Sequence, residues 1–294
     1  MKVIAPLLWL AQIVTVLTDR PVEIVQYSSG TMRILQANVR SLNTTKDLLE
    51  LTSLVHRADL MLLQEIWSAK GSLQLRDFMT PLVKLRDSKG GGGVAIFARK
   101  SVKMVSLSQY DCNDVEAVWA EVMVGHVRCV VGSVYIPLGA IHTLKAFGQQ
   151  LAKICHENDM VVLAMDANAR NKLWDEEVGS GGTNKKMGDL LHDILRENDM
   201  EVLNDGTHTY HKGSYSAALD VTACKGLQIK YPVKWSVLDD DINSDHSPVI
   251  TLIGESTTVA VVCKKDWAKM DWEEYNRQSE GFLQVFLHLR INRT

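Results

Sequence analysis

The 294-residue sequence has no excess of positive charge. Its 32 lysines and arginines are balanced by 35 aspartates and glutamates, which leaves a formal net charge of −3. A uniformly positive surface that attracts nucleic acid is therefore excluded, and any contact with a polyanion has to come from local basic groups. With 46% hydrophobic and 23% charged residues, the chain can bury a sizeable core, and its composition excludes collagen-like and disordered classes.

Cysteine is scarce and irregularly spaced. The number of cysteines is odd and none forms a short Cys-x-x-Cys pair; they are Cys112, Cys129, Cys155, Cys224 and Cys263. We therefore expect neither a disulfide framework nor a zinc site. A reducing compartment, the nucleus or the cytoplasm, fits this cysteine usage better than an oxidising one.

The sequence also lacks a hydrophobic run that would span a bilayer comfortably. The apolar stretch Val3–Leu17 is short and is interrupted by Pro6 and Gln12. It has the basic start and apolar middle of a signal peptide, but no clear small-x-small cleavage motif precedes Asp19. We expect a poorly structured leader over residues 1–31, rather than secretion or attachment to a membrane.

Short apolar runs alternate with amphipathic segments, which predicts a layered α/β domain. Strands are predicted at Met32–Val39, Ala58–Leu63, Val94–Phe97, Val115–Val124, Val127–Tyr135, Met160–Met165 and Val249–Ile253. Helical spacing predicts helices over residues 44–55, 142–157 and 187–195. The glycine run Gly90–Gly93 is typical of a flexible turn into a strand, because no helix opens on it as a phosphate-binding loop requires.

Polar side chains stand at the ends of these strands or in turns beside them. They are Asn38, Glu65, Tyr135, Asp166, Asn168, Asp220, Asp245 and His246. A single acid at a strand end is usually a solvated turn residue, but the recurrence suggests one shared cleft. Several carboxylates in one cleft would repel a phosphate unless a cation neutralised them, so the cluster predicts metal dependence.

Six short motifs occur in a fixed order: LQAN, LLQE, VYIP, MDAN, SAALD and SDHSPV. Together they resemble the endonuclease/exonuclease/phosphatase superfamily, and more finely the endonuclease domains of non-LTR retrotransposons, whose GGGVAIFAR-like segment is also similar. The resemblance implies an α/β (α+β) four-layer sandwich of two packed mixed sheets flanked by helices, over residues 32–254. Residues 255–294, with KKDWAKMDWEEYNRQSE, resemble the linker to a reverse transcriptase.

The resemblance implies a DNA endonuclease that hydrolyses a phosphodiester bond with Mg²⁺, or with Mn²⁺ in its place. Glu65 would be the main metal ligand, with Asn38 close by. Asp166 would orient or deprotonate the attacking water, and Asp245 would help with the metal or the water. These assignments belong to the resemblance and set the expectations for the site.

The remaining implied roles concern the phosphate. Asn168 and Tyr135 would form hydrogen bonds to the scissile phosphate. Asp220 would accept a hydrogen bond from His246 and fix its ring, so that His246 contacts the phosphate. A carboxylate behind an imidazole sets its tautomer and favours its protonated form.

Two positions depart from the family pattern. Arg40 stands where family nucleases often carry an acid, so it suggests a phosphate contact instead of a second metal site. Ala217 replaces a serine, with Ser216 one place away. Among the loop residues, Tyr210 and Lys212 are candidates for DNA contact, although a solvated loop explains them as well.

Two other functions remain open. A phosphoesterase of the same fold could act on small or lipid phosphates, and a catalytically inactive remnant could bind nucleic acid or a protein. Arg40 and Ala217 favour the inactive remnant, whereas the complete set of strand-end groups favours an enzyme. The target sequence, the preference for abasic sites and the oligomeric state do not follow from the sequence.

Overall fold

The computed structural model describes residues 31–42, 54–67, 75, 77–86 and 91–254. Most of the helix predicted over residues 44–55 lies outside the described residues, as do the leader and the segment over 255–294. Within the described part of the chain, no helix is long and apolar enough to cross a membrane.

Strands dominate the described chain, and the helices are few. The strands are β1 (Met32–Asn38), β2 (Leu60–Gln64), β3 (Leu82–Lys84), β4 (Val94–Ala98), β5 (Met104–Ser106), β6 (Glu116–Val124), β7 (Val127–Tyr135), β8 (Val161–Asp166), β9 (Glu201–Val202), β10 (Tyr210–Lys212), β11 (Tyr215–Ala217), β12 (Asp220–Lys225), β13 (Val233–Val237) and β14 (Val249–Ile253). The helices are α1 (Leu54–Arg57), α2 (Ile141–Glu157) and α3 (Thr183–Glu197), with a short 3₁₀ turn at Ser108–Tyr110.

Two six-stranded sheets organise these elements. The first has the order β13-β14-β1-β2-β4-β3, and the second has the order β5-β6-β7-β8-β12-β9. Both sheets are mixed, because β1 pairs parallel with β2 and β7 pairs parallel with β8, whereas their other pairings are antiparallel. The predicted sandwich of two mixed sheets is confirmed.

The continuous apolar runs reflect burial on both faces of the central strands. In β2, Leu60 and Leu62 belong to the core between the sheets, and Met61 and Leu63 pack on the outer side with residues of α1. β8 repeats this arrangement towards α2 and α3. Each buried leucine stabilises the fold by about 1.5–3 kcal/mol, which holds the four layers together.

Buried polar side chains join the two sheets next to the strand ends. The Gln36 side chain donates a hydrogen bond to the Met165 carbonyl over 3.0 Å and accepts one from Thr222 over 2.8 Å. Gln64 donates to the Ser133 hydroxyl over 3.0 Å, and this hydroxyl donates to the Leu63 carbonyl over 2.9 Å. Because buried polar groups need partners, these bonds fix how the sheets align beside the strand ends.

Candidate active site

The strand pairing brings the predicted polar groups to one edge of the sandwich. In the second sheet, Tyr135 lies opposite Asp166, and Asp166 lies opposite Asp220. In the first sheet, Asn38 ends β1 opposite the last residue of β2, directly before Glu65. β14 runs antiparallel to β1, so the turn before it lies at this same edge.

A cavity of about 380 Å³ opens at this edge. Its lining includes eight of the predicted site residues, which are Asn38, Arg40, Glu65, Asp166, Asn168, Tyr210, Asp245 and His246. It also includes Leu138, Asn184 and Leu219, which the sequence did not single out, and Tyr215, an aromatic neighbour of Tyr210. Tyr135, Asp220 and Lys212 do not line this cavity.

The best-defined pair at the site is Asp220 and His246. Nδ1 of His246 lies 2.8 Å from the Asp220 carboxylate, and its Nε2 lies 3.9 Å from the Asp166 carboxylate. Burial alone would lower the pKa of His246, but the charge and hydrogen bond of Asp220, with the charge of Asp166, raise it to about 10. The imidazole is therefore protonated at neutral pH and can donate from both nitrogens.

Asp166 is almost fully buried, at 1% exposure. Burial raises its pKa to about 7; His246 and a hydrogen bond from Asn38 oppose that rise, whereas Asp220 and Glu65 add to it. The Asn38 amide donates to one carboxylate oxygen over 2.8 Å, and the Asn168 backbone N–H donates to the other over 3.2 Å. A carboxyl group that titrates near neutral pH and is held on both oxygens can exchange a proton with a bound water.

Unusual backbone conformations accompany these side chains. Arg40, Glu65 and Asn168 adopt positive φ angles of 49°, 52° and 46° at three neighbouring strand ends. Asparagine tolerates this region, whereas arginine and glutamate enter it at a cost. Strained backbone conformations of this kind persist where the surrounding structure enforces them, and they cluster at functional sites. The Asn168 side chain also donates to the Ile136 carbonyl over 3.2 Å, which fixes its amide.

Two residues outside the predicted site set, Thr209 and Ser244, use their side-chain hydroxyl groups to connect the loops that carry the site. Thr209 is fully buried, and its hydroxyl accepts hydrogen bonds from the backbone N–H groups of Leu219 and Asp220 over 3.2 and 3.1 Å. Its carbonyl accepts from the Ser247 N–H over 2.7 Å. Thr209 therefore connects the two segments that carry Asp220 and His246.

Ser244 connects the same turn to the first sheet. Its hydroxyl donates to the Asn38 carbonyl over 2.8 Å and accepts from the His246 backbone N–H over 3.2 Å. No local sequence pattern predicts these contacts, because Asn38 and Ser244 are 206 positions apart.

Tyr210 packs against the imidazole of His246. Their rings meet edge to face with centroids 4.9 Å apart, and the Tyr215 ring follows at 6.1 Å from Tyr210. The Arg170 guanidinium lies 5.8 Å from the Tyr215 ring and forms an ion pair with the buried Asp175 at 2.6 Å. The hairpin of β10 and β11 thus forms one wall of the cavity.

Other residues of this hairpin point away from the cavity. Lys212 is exposed and does not line it. The Ser216 hydroxyl lies 2.8 Å from Nδ1 of His208, which borders a different cavity, and Ala217 is fully buried. Ser216 therefore does not substitute for the family serine that Ala217 replaces.

The donor set of the cavity fits a hard divalent cation. Glu65 and Asp245 offer carboxylate oxygens beside the amide of Asn38, and oxygen is the ligand that Mg²⁺ prefers. Ligand atoms of Asp166, Asp220 and His246 also lie within 4.8 Å of one another. However, a protonated His246 bonded to Asp220 is a donor rather than a metal ligand. The outer carboxylates are therefore the better candidates.

Comparisons with known proteins give similarities in sequence and in fold. The model of the family described as "Endonuclease-reverse transcriptase" matches residues 129–250. A retrovirus-related Pol polyprotein from the type-1 retrotransposable element R1 of Bradysia coprophila is 26% identical over 188 residues, which cover 60% of this chain and 19% of that protein. The match thus spans about a fifth of the length of this curated relative.

Several solved structures share the fold. The endonuclease domain of TRAS1, a telomere-specific non-LTR retrotransposon, matches with a TM-score of 0.63 and 21% identity over 76% of this chain and 98% of that one. The 3′-5′ exonuclease NExo from Neisseria meningitidis matches with a TM-score of 0.58 and 16% identity, over 76% and 100%. An AP endonuclease from Archaeoglobus fulgidus matches with a TM-score of 0.55 and 15% identity, over 75% and 98%.

The two mixed sheets have the fold of these solved nucleases, and an acidic cluster lies at one edge of the fold. The chain is similar to the endonuclease/exonuclease/phosphatase superfamily, the resemblance that the motifs indicated. Within it, the chain is similar to the endonuclease segments of non-LTR retrotransposons.

Proposed function

We propose that this chain is a metal-dependent DNA endonuclease that hydrolyses a phosphodiester bond, and that it nicks the target site of a non-LTR retrotransposon. The observation that carries the proposal is the contact of protonated His246 with Asp220 at 2.8 Å, beside a buried Asp166 whose pKa is raised to about 7. This arrangement places a proton donor and a proton acceptor at one cavity.

Asp166 is the group that orients and deprotonates the attacking water. Its carboxyl group is held by Asn38 and Asn168 and titrates near neutral pH, where a general base works best. The water oxygen forms a bond to phosphorus and its proton passes to Asp166. The bond from phosphorus to the 3′ oxygen breaks, and that oxygen takes up a proton and leaves as a 3′-hydroxyl.

His246 offsets the negative charge that develops on the phosphoryl oxygens. Asp220 and Asp166 keep its imidazole protonated, so it donates a hydrogen bond without a prior proton transfer. Asn168 and Tyr135 add neutral donors to the phosphate. Tyr135 is suited to this role because burial, followed by the charges of Glu65 and Asp166, raises its pKa and keeps its hydroxyl proton in place.

A divalent cation, Mg²⁺ with Mn²⁺ as a substitute, would neutralise the phosphoryl oxygens and the leaving oxygen. Glu65 would be its main ligand, with Asn38 and Asp245 beside it. Without such a cation, the carboxylates at this cavity would repel the substrate.

DNA is the proposed substrate because the rim of the cavity carries the Arg40 guanidinium and aromatic rings. Arg40 is exposed beside Tyr210 and Tyr215, which suits contact with a phosphate and a sugar or base. Among the proteins of this fold, the 3′ phosphatase NExo was solved bound to a product DNA hairpin. Lys212 on the exposed end of the hairpin would add a phosphate contact outside the cavity.

A plasmid-nicking assay tests this function. We expect conversion of supercoiled plasmid to the open circle with Mg²⁺ and none with EDTA, and we expect Glu65→Ala and His246→Ala each to reduce the rate strongly. Glu197→Ala and His126→Ala are the matched controls, because both side chains are exposed and do not line the cavity.

Two results would contradict the proposal. One is the absence of metal-dependent nicking by the wild-type protein, and the other is undiminished nicking by both site variants. Hydrolysis of inositol or lipid phosphates in place of plasmid would instead support a phosphoesterase. Binding to DNA without hydrolysis of any of these substrates would support an inactive remnant.

A further inference from the structure

The aromatic wall of the cavity lies on a small sheet of its own. β10 and β11 form a separate two-stranded sheet, and a hairpin of two strands is marginally stable without further support. Tyr215 lies in β11, lines the cavity and is 47% exposed. Its ring meets the ring of Tyr210 edge to face. The position of the Tyr215 ring therefore needs support from residues outside the hairpin.

Arg170 supplies this support from the loop that follows β8. Its Nη1 donates a long hydrogen bond to the Tyr215 hydroxyl over 3.4 Å, and its guanidinium carbon lies 5.8 Å from the centroid of the Tyr215 ring. A guanidinium has only donors, so the phenol oxygen is the acceptor, and the cation also attracts the ring itself. Arg170 does not line the cavity. It therefore contacts Tyr215 from outside the cavity.

Asp175 fixes the Arg170 guanidinium in this orientation. The Asp175 carboxylate is fully buried and accepts two hydrogen bonds from Arg170, from Nε over 2.6 Å and from Nη2 over 3.0 Å. One of its oxygens also accepts from the Ala218 N–H over 3.1 Å. Burial alone would raise the pKa of Asp175, but these hydrogen bonds and the charge of Arg170 lower it, so the carboxylate is charged at neutral pH. Because a bidentate pair fixes the plane of a guanidinium, Nη1 stays directed at Tyr215.

The backbone of Arg170 is held by α3. Its N–H donates to the Asn184 carbonyl over 2.9 Å, and Asn184 lines the cavity. The Arg170 carbonyl packs against Gly188, where a Cβ atom would lie 2.0 Å from the carbonyl oxygen. Arg170 therefore connects three segments of the site, which are the loop after β8, the first turns of α3 and the hairpin.

We propose that Arg170 is a positioning residue, which is fixed by Asp175 and holds the Tyr215 ring where it contacts a sugar or base of the DNA beside the scissile phosphate. The inference rests on the proposed function and deepens it, because it names what sets the affinity for DNA at the aromatic wall. Arg170 acts through Tyr215 and does not contact the reacting atoms. A contact away from those atoms stabilises the bound substrate and the transition state alike, so its loss raises KM and leaves kcat nearly unchanged.

The first test compares Arg170→Gln and Arg170→Lys with a matched control, Arg33→Gln. Arg33 forms the same bidentate pair with Asp59, at 2.9 and 2.7 Å, but it lies near the start of β1, whereas Asn38 ends that strand at the cavity. We expect Arg170→Gln to raise KM for plasmid nicking by roughly fivefold or more, with kcat within about twofold, because a contact of an aromatic ring with a base contributes a factor of this size. Arg33→Gln should keep both constants within about twofold of the wild type. Arg170→Lys keeps the charge but not the planar fork, so it should restore only part of the loss.

Asp175→Asn separates positioning from simple attraction between charges. This variant removes a negative charge, which by itself would tighten binding to a polyanion. Positioning predicts the opposite result, because the weakened pair releases Arg170 from its orientation. We expect Asp175→Asn to raise the Kd of a fluorescently labelled DNA duplex by roughly threefold or more, measured by anisotropy with Ca²⁺ in place of Mg²⁺. Asp59→Asn removes the same charge from the control pair and should not weaken binding, and tighter binding by Asp175→Asn would contradict the proposal.

A double-mutant cycle tests whether Arg170 acts through Tyr215. Tyr215→Ala alone should raise KM at least as much as Arg170→Gln does. In the Tyr215→Ala background, Arg170→Gln should change KM by no more than about twofold, whereas the two effects multiply if the side chains act independently.

A readout that does not need activity is ¹⁹F NMR of protein labelled with 3-fluorotyrosine, with the Tyr215 signal assigned by Tyr215→Phe. We expect Arg170→Gln and Asp175→Asn to shift this signal, and Arg33→Gln to leave it unchanged. An unshifted signal, effects that multiply in the double variant, or a KM of Arg170→Gln equal to that of Arg33→Gln would overturn the proposal. If the wild type fails to nick, while Arg170→Gln weakens duplex binding and shifts the signal, the proposed function is overturned and the positioning of Tyr215 stands.

Discussion

The Asp220 carboxylate lies 2.8 Å from Nδ1 of His246, and both side chains are buried, at 2% and 7% exposure. The second oxygen of Asp220 is also buried and has no hydrogen-bond partner among the described residues. Among the described residues, the Asp220 carboxylate therefore forms its hydrogen bond with the His246 imidazole alone. A buried charge pair of this kind is costly to break from one side, because the other charge remains buried without compensation.

Asp220→Asn keeps the shape of this side chain and removes its charge. We expect the pKa of His246 to fall, because the Asp220 charge is the largest of the effects that raise it. We also expect nicking to slow by roughly tenfold or more. NMR titration of the His246 ring and a plasmid assay measure the two effects. Asp193→Asn is the control, since Asp193 faces His192 at 3.7 Å in an exposed pair. Equal effects of the two variants would contradict a special role for Asp220.

The folded protein should lose stability as pH rises above neutrality. The pKa of His246 is raised from 6.5 to about 10, so its contribution is fully present below pH 6.5 and is lost as pH rises through 10. The contribution of Asp166, raised from 3.8 to about 7, has the same sign but is lost below neutral pH. Urea unfolding in EDTA between pH 7.5 and 10 therefore covers the range in which the contribution of His246 is lost, above that of Asp166.

The comparison variant for this pH dependence is His246→Gln. The difference in unfolding free energy between wild type and variant should shrink by about 3 kcal/mol, as an order of magnitude, across that pH range. The buried cysteines Cys129 and Cys224 also have raised pKa values, of about 12, but they contribute equally to both proteins and cancel. A difference that stays constant from pH 7.5 to 10 would refute the raised pKa of His246.

Thr209→Val should destabilise the protein and impair the site together. The valine leaves the buried N–H groups of Leu219 and Asp220 without their acceptor, which costs about 1–3 kcal/mol for such an unsatisfied donor. Thr209→Ser keeps the hydroxyl and should retain most of the stability and activity. If the valine and serine variants unfold at the same urea concentration, the hydroxyl does not hold this loop.

Gly132→Ala should disrupt the packing of the second sheet. A Cβ atom at Gly132 would lie 2.2 Å from the ring of Trp119, which is 1% exposed and has no room to move. Overpacking of a core costs about 1–3 kcal/mol, and this collision should reach the upper end of that range. Thermal unfolding followed by tryptophan fluorescence measures the change. Gly179→Ala, where no atom lies within 4 Å, should leave the melting temperature unaltered.

The predicted strands and helices agree well with the structure where it describes them. β7 and β14 have the predicted bounds, and α2 begins one residue before the prediction. Continuous apolar runs are a strong signal because both faces of these strands are buried. The glycine run leads directly into β4, as predicted, and the contacts that require glycine there come from residues distant in sequence.

The sequence by itself determined the chemical inventory of this protein. The order and types of the strand-end groups, from Asn38 to His246, carried the resemblance to the superfamily and predicted the fold. A polar residue that ends a strand lies at a sheet edge, so these groups were expected to share one cleft. The tertiary structure decided which groups meet. The contacts of Thr209 with Asp220 and of Ser244 with Asn38 depend on backbone geometry and on long-range pairing, which no local sequence pattern encodes.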